Sequence, residues 1–181
     1  MPNWSVTQDA PDVTRVLSPT TQAEWNHAES LICELKEWDV RQSQKLGFAS
    51  DEVLEVFYPD NIEDIRRQSV PPDGCFAIAL DRSEPAGCAG FRRLTPGMCE
   101  LYDVYVRPGH RGRGIGSTLL QHLLHQARAA GYEAMRLETA SFMLTAHVLY
   151  RSLQFQVREP YRSIPARFAD ATIWMERKLA G

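Results

Sequence analysis

Within residues 99–131 the hydrophobic period changes once, from that of a strand to that of a helix, and glycine and arginine fill the break. Residues 99–106, Cys-Glu-Leu-Tyr-Asp-Val-Tyr-Val, are rich in the β-branched and aromatic side chains that suit a pleated strand. Pro108 and Gly109 end it, since proline brings no N–H to a ladder and glycine loosens the backbone. Residues 111–116, Arg-Gly-Arg-Gly-Ile-Gly, then run straight into a helical stripe. That stripe holds Ile115, Leu119, Leu120, Leu123, Leu124, Ala127 and Ala130, and Gly131 is its stop. A helix N-terminus leaves its first N–H groups unpaired and carries about half a positive charge. Glycines let such a backbone close on a diphosphate, and Arg111 and Arg113 add full charges beside it. The stretch predicts a phosphate cradle; a plain helix cap with two solvated arginines is the alternative.

The spacing narrows the ligand. A Walker loop needs a Gly-Lys-Ser/Thr ending, which is absent. Gly112-x-Gly114-x-Gly116 also departs from the dinucleotide pattern G-x-G-x-x-G, so a generic nucleotide-binding module is disfavoured.

The flanking chain predicts a mixed sheet. Residues 13–17 read as a short strand, and Thr21-x-x-Glu24 forms a capping box for a helix carrying Trp25, Ala28, Ile32, Leu35 and Trp38. A loop is expected over 39–49, then a helix over 50–58 with Leu54 and Phe57 inward, and a further turn after Asp60. Asp51, Glu52, Glu55, Asp60, Glu63 and Asp64 gather here, either as a solvated face or as an acidic lip for a cationic amine. Pro71-Pro72-Asp73-Gly74 is a turn, and strands over 75–80, 86–94 and 98–106 are too closely joined to be anything but an antiparallel meander. The strand over 134–139 follows the central helix, so a right-handed crossover should pair it parallel to 98–106. Met143, Ala146, Leu149, Tyr150 and Leu153 mark a last helix, and strands near 155–161 and 172–179 close the chain. The predicted class is α+β: a mixed, mostly antiparallel sheet with helices on both faces.

A chain of 181 residues suits one domain, expected over 13–181 behind a flexible arm at 1–12. A net charge of −3 argues against a nucleic-acid partner. No apolar run approaches a membrane span and no signal peptide is visible, so no membrane partner is expected. Cys33, Cys75, Cys88 and Cys99 have no C-x-x-C spacing and sit in apolar runs. They read as buried free thiols in a reducing, cytoplasmic compartment, with no metal.

Two motifs carry a resemblance. Arg-x-x-Gly-x-Gly at Arg111, Gly114 and Gly116 resembles the acetyl-coenzyme A pyrophosphate loop of the GCN5-related N-acetyltransferase (GNAT) superfamily. The last helix resembles that superfamily's Asn-x-x-Ala-x-x-Leu-Tyr-x-x-x-Gly-Phe: Ala146, Leu149, Tyr150 and Phe155 match, while Met143 replaces Asn and Gln154 replaces Gly. The resemblance covers roughly 75–179; more narrowly, Glu100-Leu101 through Val106-Arg107-Pro108 is similar to a group of bacterial GNATs of unassigned acceptor, which often carry a basic pair where this chain has Tyr102-Asp103. It implies a GNAT (acyl-CoA N-acyltransferase) fold and an acyltransferase using acetyl-CoA as cosubstrate.

The resemblance further implies direct attack of a small-molecule or peptide amine on the thioester, with Tyr150 protonating the departing sulfur. Glu100, or water, is the candidate base; alternation places Glu100 on one strand face with Tyr102, Val104 and Val106, and Asp103 on the other. Pantetheine is expected along Val104, Tyr105 and Val106, and pyrophosphate on Arg111, Gly112, Arg113, Gly114, Ile115, Gly116 and Ser117. His122, His125 and His147 are predicted on outer helix faces, His110 in solvent, and Trp38 and Tyr161 near the acceptor. A homodimer stays open, as does a noncatalytic acyl-CoA-binding domain on the same fold, for which Met143 and Gln154 speak.

Overall fold

A computed structural model describes residues 14–179; the arm expected at 1–12 lies outside the described residues. The order is β1 (Arg15–Leu17), α1 (Gln22–Gln44), α2 (Ser50–Phe57), α3 (Ile62–Gln68), β2 (Gly74–Asp81), β3 (Glu84–Thr95) and β4 (Met98–Val106). Then come α4 (Ile115–Ala129), β5 (Ala134–Ala140), α5 (Leu144–Ser152), β6 (Gln156–Arg158) and β7 (Thr172–Lys178). Short 3₁₀ turns lie at Pro108–His110 and Ala166–Ala171. The strands form one sheet in the order β1-β2-β3-β4-β5-β7-β6, in which β4 and β5 are the parallel neighbours.

Strand alternation builds a core on each face. In β2, Phe76, Ile78 and Leu80 pack against Ala28, Leu31, Ile32 and Leu35 of α1. Cys75, Ala77 and Ala79 face the opposite way, where Leu119, Leu120, Leu123 and Leu124 of α4 cover them. The small side chains of β2 and β3 on that side let α4 lie close to the sheet.

Two features of the sheet position the site. β4 and β5 pair only at Met98–Ala134, Cys99–Met135 and Glu100–Arg136 among the described residues, and then part although both strands continue. The second feature is a bulge: Gly90 pairs with Tyr102 and Cys88 with Tyr105, so two residues of β4 oppose Ala89 alone. Asp103 takes a left-handed φ of 51° there. The extra residue reverses the alternation beyond it. Tyr102 and Tyr105 both pack on the α1 side, whereas Leu101, Val104 and Val106 pack on the α4 side. The single face predicted for Glu100, Tyr102, Val104 and Val106 is therefore corrected.

Other expectations shift for local reasons. α1 continues through the predicted loop to Gln44, because Asp39 and Ser43 turn inward one helical turn apart and Ser43 Oγ donates to Asp39 Oδ1 at 3.3 Å. Leu54 is exposed and Val53 is the buried residue of α2. β6 is shorter than predicted, ending before Pro160, which offers no donor. All four cysteines are free, but Cys33 is exposed. His147 is buried rather than outward, its Nε2 3.0 Å from the Ala140 carbonyl.

The end of α5 explains a departure from the motif. The Phe155 N–H donates to Tyr150 O at 3.0 Å and the Gln154 N–H to Arg151 O at 2.9 Å, the bonding of a Schellman cap. Tyr150 and Phe155 add the accompanying ring contact at 6.0 Å. Gln154 holds the left-handed position with φ 65°, which glycine would occupy without a Cβ clash. The cap forms despite the substitution. Gln154→Gly should stabilise the fold by about 0.5–1.5 kcal/mol, the left-handed penalty less glycine's entropy. Urea unfolding measures this; a loss of stability would contradict the cap assignment.

Candidate active site

The loop before α4 is a bare backbone concavity. Gly112 and Gly114 have φ of 77° and 80°, and a Cβ at either would meet no neighbour within 4 Å, so the loop surface is open. Gly114 is the N-cap and supplies no side-chain acceptor. The first α4 amide bonded back is that of Thr118, to Gly114 O at 3.0 Å; among the described residues those of 112–117 find no backbone acceptor. Gly116 has a packing role instead, since a Cβ there would lie 3.0 Å from Leu149 Cδ2.

The loop is fixed from one side by Asp81 at the end of β2. Asp81 Oδ2 lies 2.8 Å from His110 Nδ1 and 2.8 Å from Arg113 Nη1. The His110 bond leads in holding the Asp81 carboxyl below its usual range, with Arg113 adding to it. His110 is thus a strut rather than a solvated side chain. Arg111 donates from Nε to Val106 O at 2.9 Å and lies 5.9 Å over the Trp38 ring. Of the other residues predicted for the cradle, Ile115 is buried at the first position of α4 and Ser117 Oγ accepts from Gln121 Nε2 at 3.3 Å. Tyr105 turns away to Glu34, at 3.4 Å, leaving only its backbone on this side.

Where β4 and β5 part, a cleft with a cavity volume of about 120 Å³, partly open to solvent, is walled by α1, α2, α5 and the 166–171 turn. Tyr150 lies on it, buried, with its pKa raised by that burial. Its hydroxyl has no hydrogen-bond partner among the described residues.

Four carboxyls line the same cleft, and they differ in their partners. Glu100 accepts from Arg92 Nε and Nη2 at 3.0 and 2.9 Å on one oxygen and from Tyr161 Oη at 2.9 Å on the other. Glu138 is bound by Arg162, whose Nε lies at 2.9 Å. Asp39 has neutral partners only: Tyr58 Oη donates to it at 2.6 Å, Ser43 completes the set, and burial raises its pKa. The Asp103 side chain makes no hydrogen bond or ion pair among the described residues. Burial pushes its pKa from 3.8 up to about 6, with Asp60 adding to the rise and Lys36 and Arg92 opposing it. The structure thus brings Tyr150 and Glu100 to one cleft, as predicted, but gives both Glu100 oxygens partners already. Asp103 and Asp39 were missed: the bulge that turns Asp103 inward depends on pairing with β3, and Asp39 lay in a predicted loop.

The predicted acidic lip is mostly paired off. Glu52 pairs with Arg167, Glu63 with Arg66 and Asp64 with Arg67; only Asp60 reaches the cleft wall, through Arg92. Among the described residues no group of three His, Cys, Asp or Glu side chains could hold a metal, and no helix is long and apolar enough to cross a membrane.

Comparison with known proteins agrees with this geometry. The family model described as "Acetyltransferase (GNAT) family" matches residues 32–155. An uncharacterised N-acetyltransferase of Schizosaccharomyces pombe is 34% identical over 108 residues, 59% of this chain and 66% of that protein. The chain spans just under two thirds of the first curated relatives it matches, 66% and 61%. In fold it is similar to a GNAT-family acetyltransferase from Staphylococcus aureus, with TM-score 0.70, 17% identity and coverage of 93% of this chain and 100% of the other. It is also similar to the PaiA N-acetyltransferase of Thermoplasma acidophilum in complex with coenzyme A, with TM-score 0.65, 18% identity and coverage of 92% and 99%.

Asp103 gives a stability test. Its raised pKa means that the ionised form costs the native state about 1–3 kcal/mol once partial exposure is allowed for. That cost is fully present above about pH 6, fades as the pH falls, and vanishes below about pH 4, where folded and unfolded chains are both protonated. Asp103→Asn, which tolerates the same left-handed backbone, should therefore stabilise the protein at about pH 8 and leave it unchanged near pH 4. Equal stability at both pH values in urea melts would show that the carboxyl is solvated.

Proposed function

The chain belongs to the acetyltransferase (GNAT) family, and from that premise we propose that it moves the acetyl group of acetyl-CoA to a primary amine by direct attack on the thioester. One observation carries the reading. The open end of β4 and the unpartnered Tyr150 hydroxyl line one cleft, and the chain runs directly from that strand end into the bare amides at the start of α4.

The amides of 112–117 and the side chain of Arg111 would hold the pyrophosphate; Arg113 keeps a half-exposed guanidinium beside it while anchoring the loop to Asp81. Pantetheine would lie along Val104, Tyr105 and Val106 as an added strand. Its amide would take over Val106 O as Arg111 turns to the phosphates. This orders the thioester next to Tyr150 and places the amine against it, so much of the barrier is removed by positioning.

Tyr150 supplies a proton to the leaving sulfur. Burial raises its pKa, which keeps it protonated at neutral pH. The same dry surroundings raise the basicity of a thiolate from about 8.5, so the transfer is not disfavoured by the shift. At the other end Asp103, rather than the fully partnered Glu100, takes the ammonium proton directly or through water. An ammonium near pKa 10 loses its proton to a carboxyl at about 6 across a gap of about 4 units, or roughly 5 kcal/mol. A carboxylate at its ordinary value would face about 3 kcal/mol more. The four free cysteines suit a reducing, cytoplasmic setting, and one domain over 13–181 would carry the activity.

Gly114→Val sets a β-branched side chain at φ 80° and over the open loop surface. Its affinity for coenzyme A should fall roughly ten- to a hundred-fold by calorimetry. Unchanged affinity in a folded variant would remove the cradle. Tyr150→Phe should lower kcat by about 10²–10⁴ while coenzyme A binding stays near wild type. Retained kcat, where chemistry limits the rate, would assign Tyr150 to packing alone. For the base, kcat/KM should decline below about pH 6 as Asp103 is protonated, and Asp103→Asn should lower the plateau and erase that limb. A limb that persists in Asp103→Asn would return the role to another group.

A further inference from the structure

The far half of the cleft is apolar to a degree that a general amine site does not require. Phe48 and Phe168 stack at 4.6 Å, and Phe57 meets Phe168 edge-on at 5.3 Å. Phe142 stands opposite, 6.0 Å from Trp38. These rings come from three separate segments, the α1–α2 connection with α2, the β5–α5 connection and the 166–171 turn, and all four phenylalanines line the cleft. None of them is needed to hold a thioester.

The charges lining the cleft are unequal. The sole cation among the lining residues is Arg92, which is spent on Glu100, Asp60 and Gln68. Arg162, behind the wall, is bound to Glu138 and to Val56 O. Asp103 and Asp39 have no bonded cation among the described residues; Lys36, which donates to Asp60 O at 3.2 Å and lies 5.7 Å over the Tyr58 ring, and Arg92 act on Asp103 only through space. An incoming ammonium meets these two carboxyls, while an incoming carboxylate meets them with no unengaged cation among the lining residues, since Arg92 and, behind Tyr58, Lys36 are bonded elsewhere. Burying an uncompensated charge is strongly unfavourable.

We propose that the acceptor is a hydrophobic primary amine without a carboxylate, of the arylalkylamine class, its ammonium at Asp103 and its apolar body among Phe48, Phe57, Phe142 and Phe168. Free amino acids are excluded by their carboxylate. Polyamines and amino sugars are disfavoured because a second ammonium or a set of hydroxyls would have to lie desolvated against phenylalanine. The inference rests on the acetyl-transfer reading above and deepens it.

The test compares 2-phenylethylamine, phenylalanine and spermidine as acceptors by coenzyme A release from acetyl-CoA. Phenylethylamine and phenylalanine share ring and amine and differ by the carboxylate, so kcat/KM should favour the former by at least about a hundred-fold. Spermidine should fall about ten-fold or more below it. The half-buried Phe48 and Phe142 allow variants that need not disturb the core. Phe48→Ser and Phe142→Ser should each lower the phenylethylamine kcat/KM about ten-fold, with coenzyme A affinity kept as the control for folding. Equal or better turnover of phenylalanine or spermidine would overturn the acceptor assignment and leave acetyl transfer standing. Absence of turnover with all three would overturn the transfer reading. Calorimetry on the coenzyme A complex then decides the acceptor site separately: phenylethylamine binding that weakens in Phe48→Ser supports it, and binding that is absent or unaffected refutes it.

Discussion

Three residue pairs hold β4 and β5 together, and the site depends on their separation after Glu100. A parallel sheet normally continues its ladder as far as both strands run, because an unpaired buried N–H or C=O is costly. Here the strands diverge and leave Val104 and Val106 beside a gap, while β5 is fully occupied by β7 on its other side. Shortly after β4 the chain reaches 112–117, where a row of backbone N–H groups has no backbone acceptor among the described residues. The open edge of β4 thus lines the cleft and leads straight into the bare amides of 112–117, while α4 and α5 pack beside the sheet through Ile115, Leu119 and Tyr150. The scaffold is well packed so that its polar edge can stay open.

Departures from local rules gather around that edge. Asp103 is a partly buried carboxyl at a left-handed φ with no bonded counter-ion among the described residues, and the proposed proton acceptor is placed there for that reason. By contrast Glu100, Glu138 and Asp81 are each paired with an arginine or histidine. The left-handed Gln154 lies at the foot of α5 and does what the motif's glycine does there, so it gives no argument for a domain that has lost catalysis.

Legibility from the sequence followed the range of the interactions involved. The stretch 99–131 was readable because strand, loop and helix are local, and because the glycines at 112 and 114 are required by positive φ. The meander was readable from its short connections, and Tyr150 from a motif on one helix face. The bulge at Asp103 was not, since it exists only through register with β3, and one extra residue was enough to undo the alternation argument for Val104 and Val106. Glu100 was placed in the cleft, but its neutralisation by Arg92 and Tyr161 joins residues 8 and 61 positions apart. The extension of α1 through Asp39 likewise depends on Tyr58, 19 residues on.

The central claim is that acetyl-CoA completes the backbone hydrogen bonding left open by β4 and by the start of α4. Amide hydrogen exchange with and without acetyl-CoA tests this at single-residue resolution. The account predicts slowed exchange concentrated at residues 104–106 and 112–117, with little change at the pairs Met98–Ala134 to Glu100–Arg136, which are bonded already. Protection that spares 112–117 and falls elsewhere on the chain would contradict it.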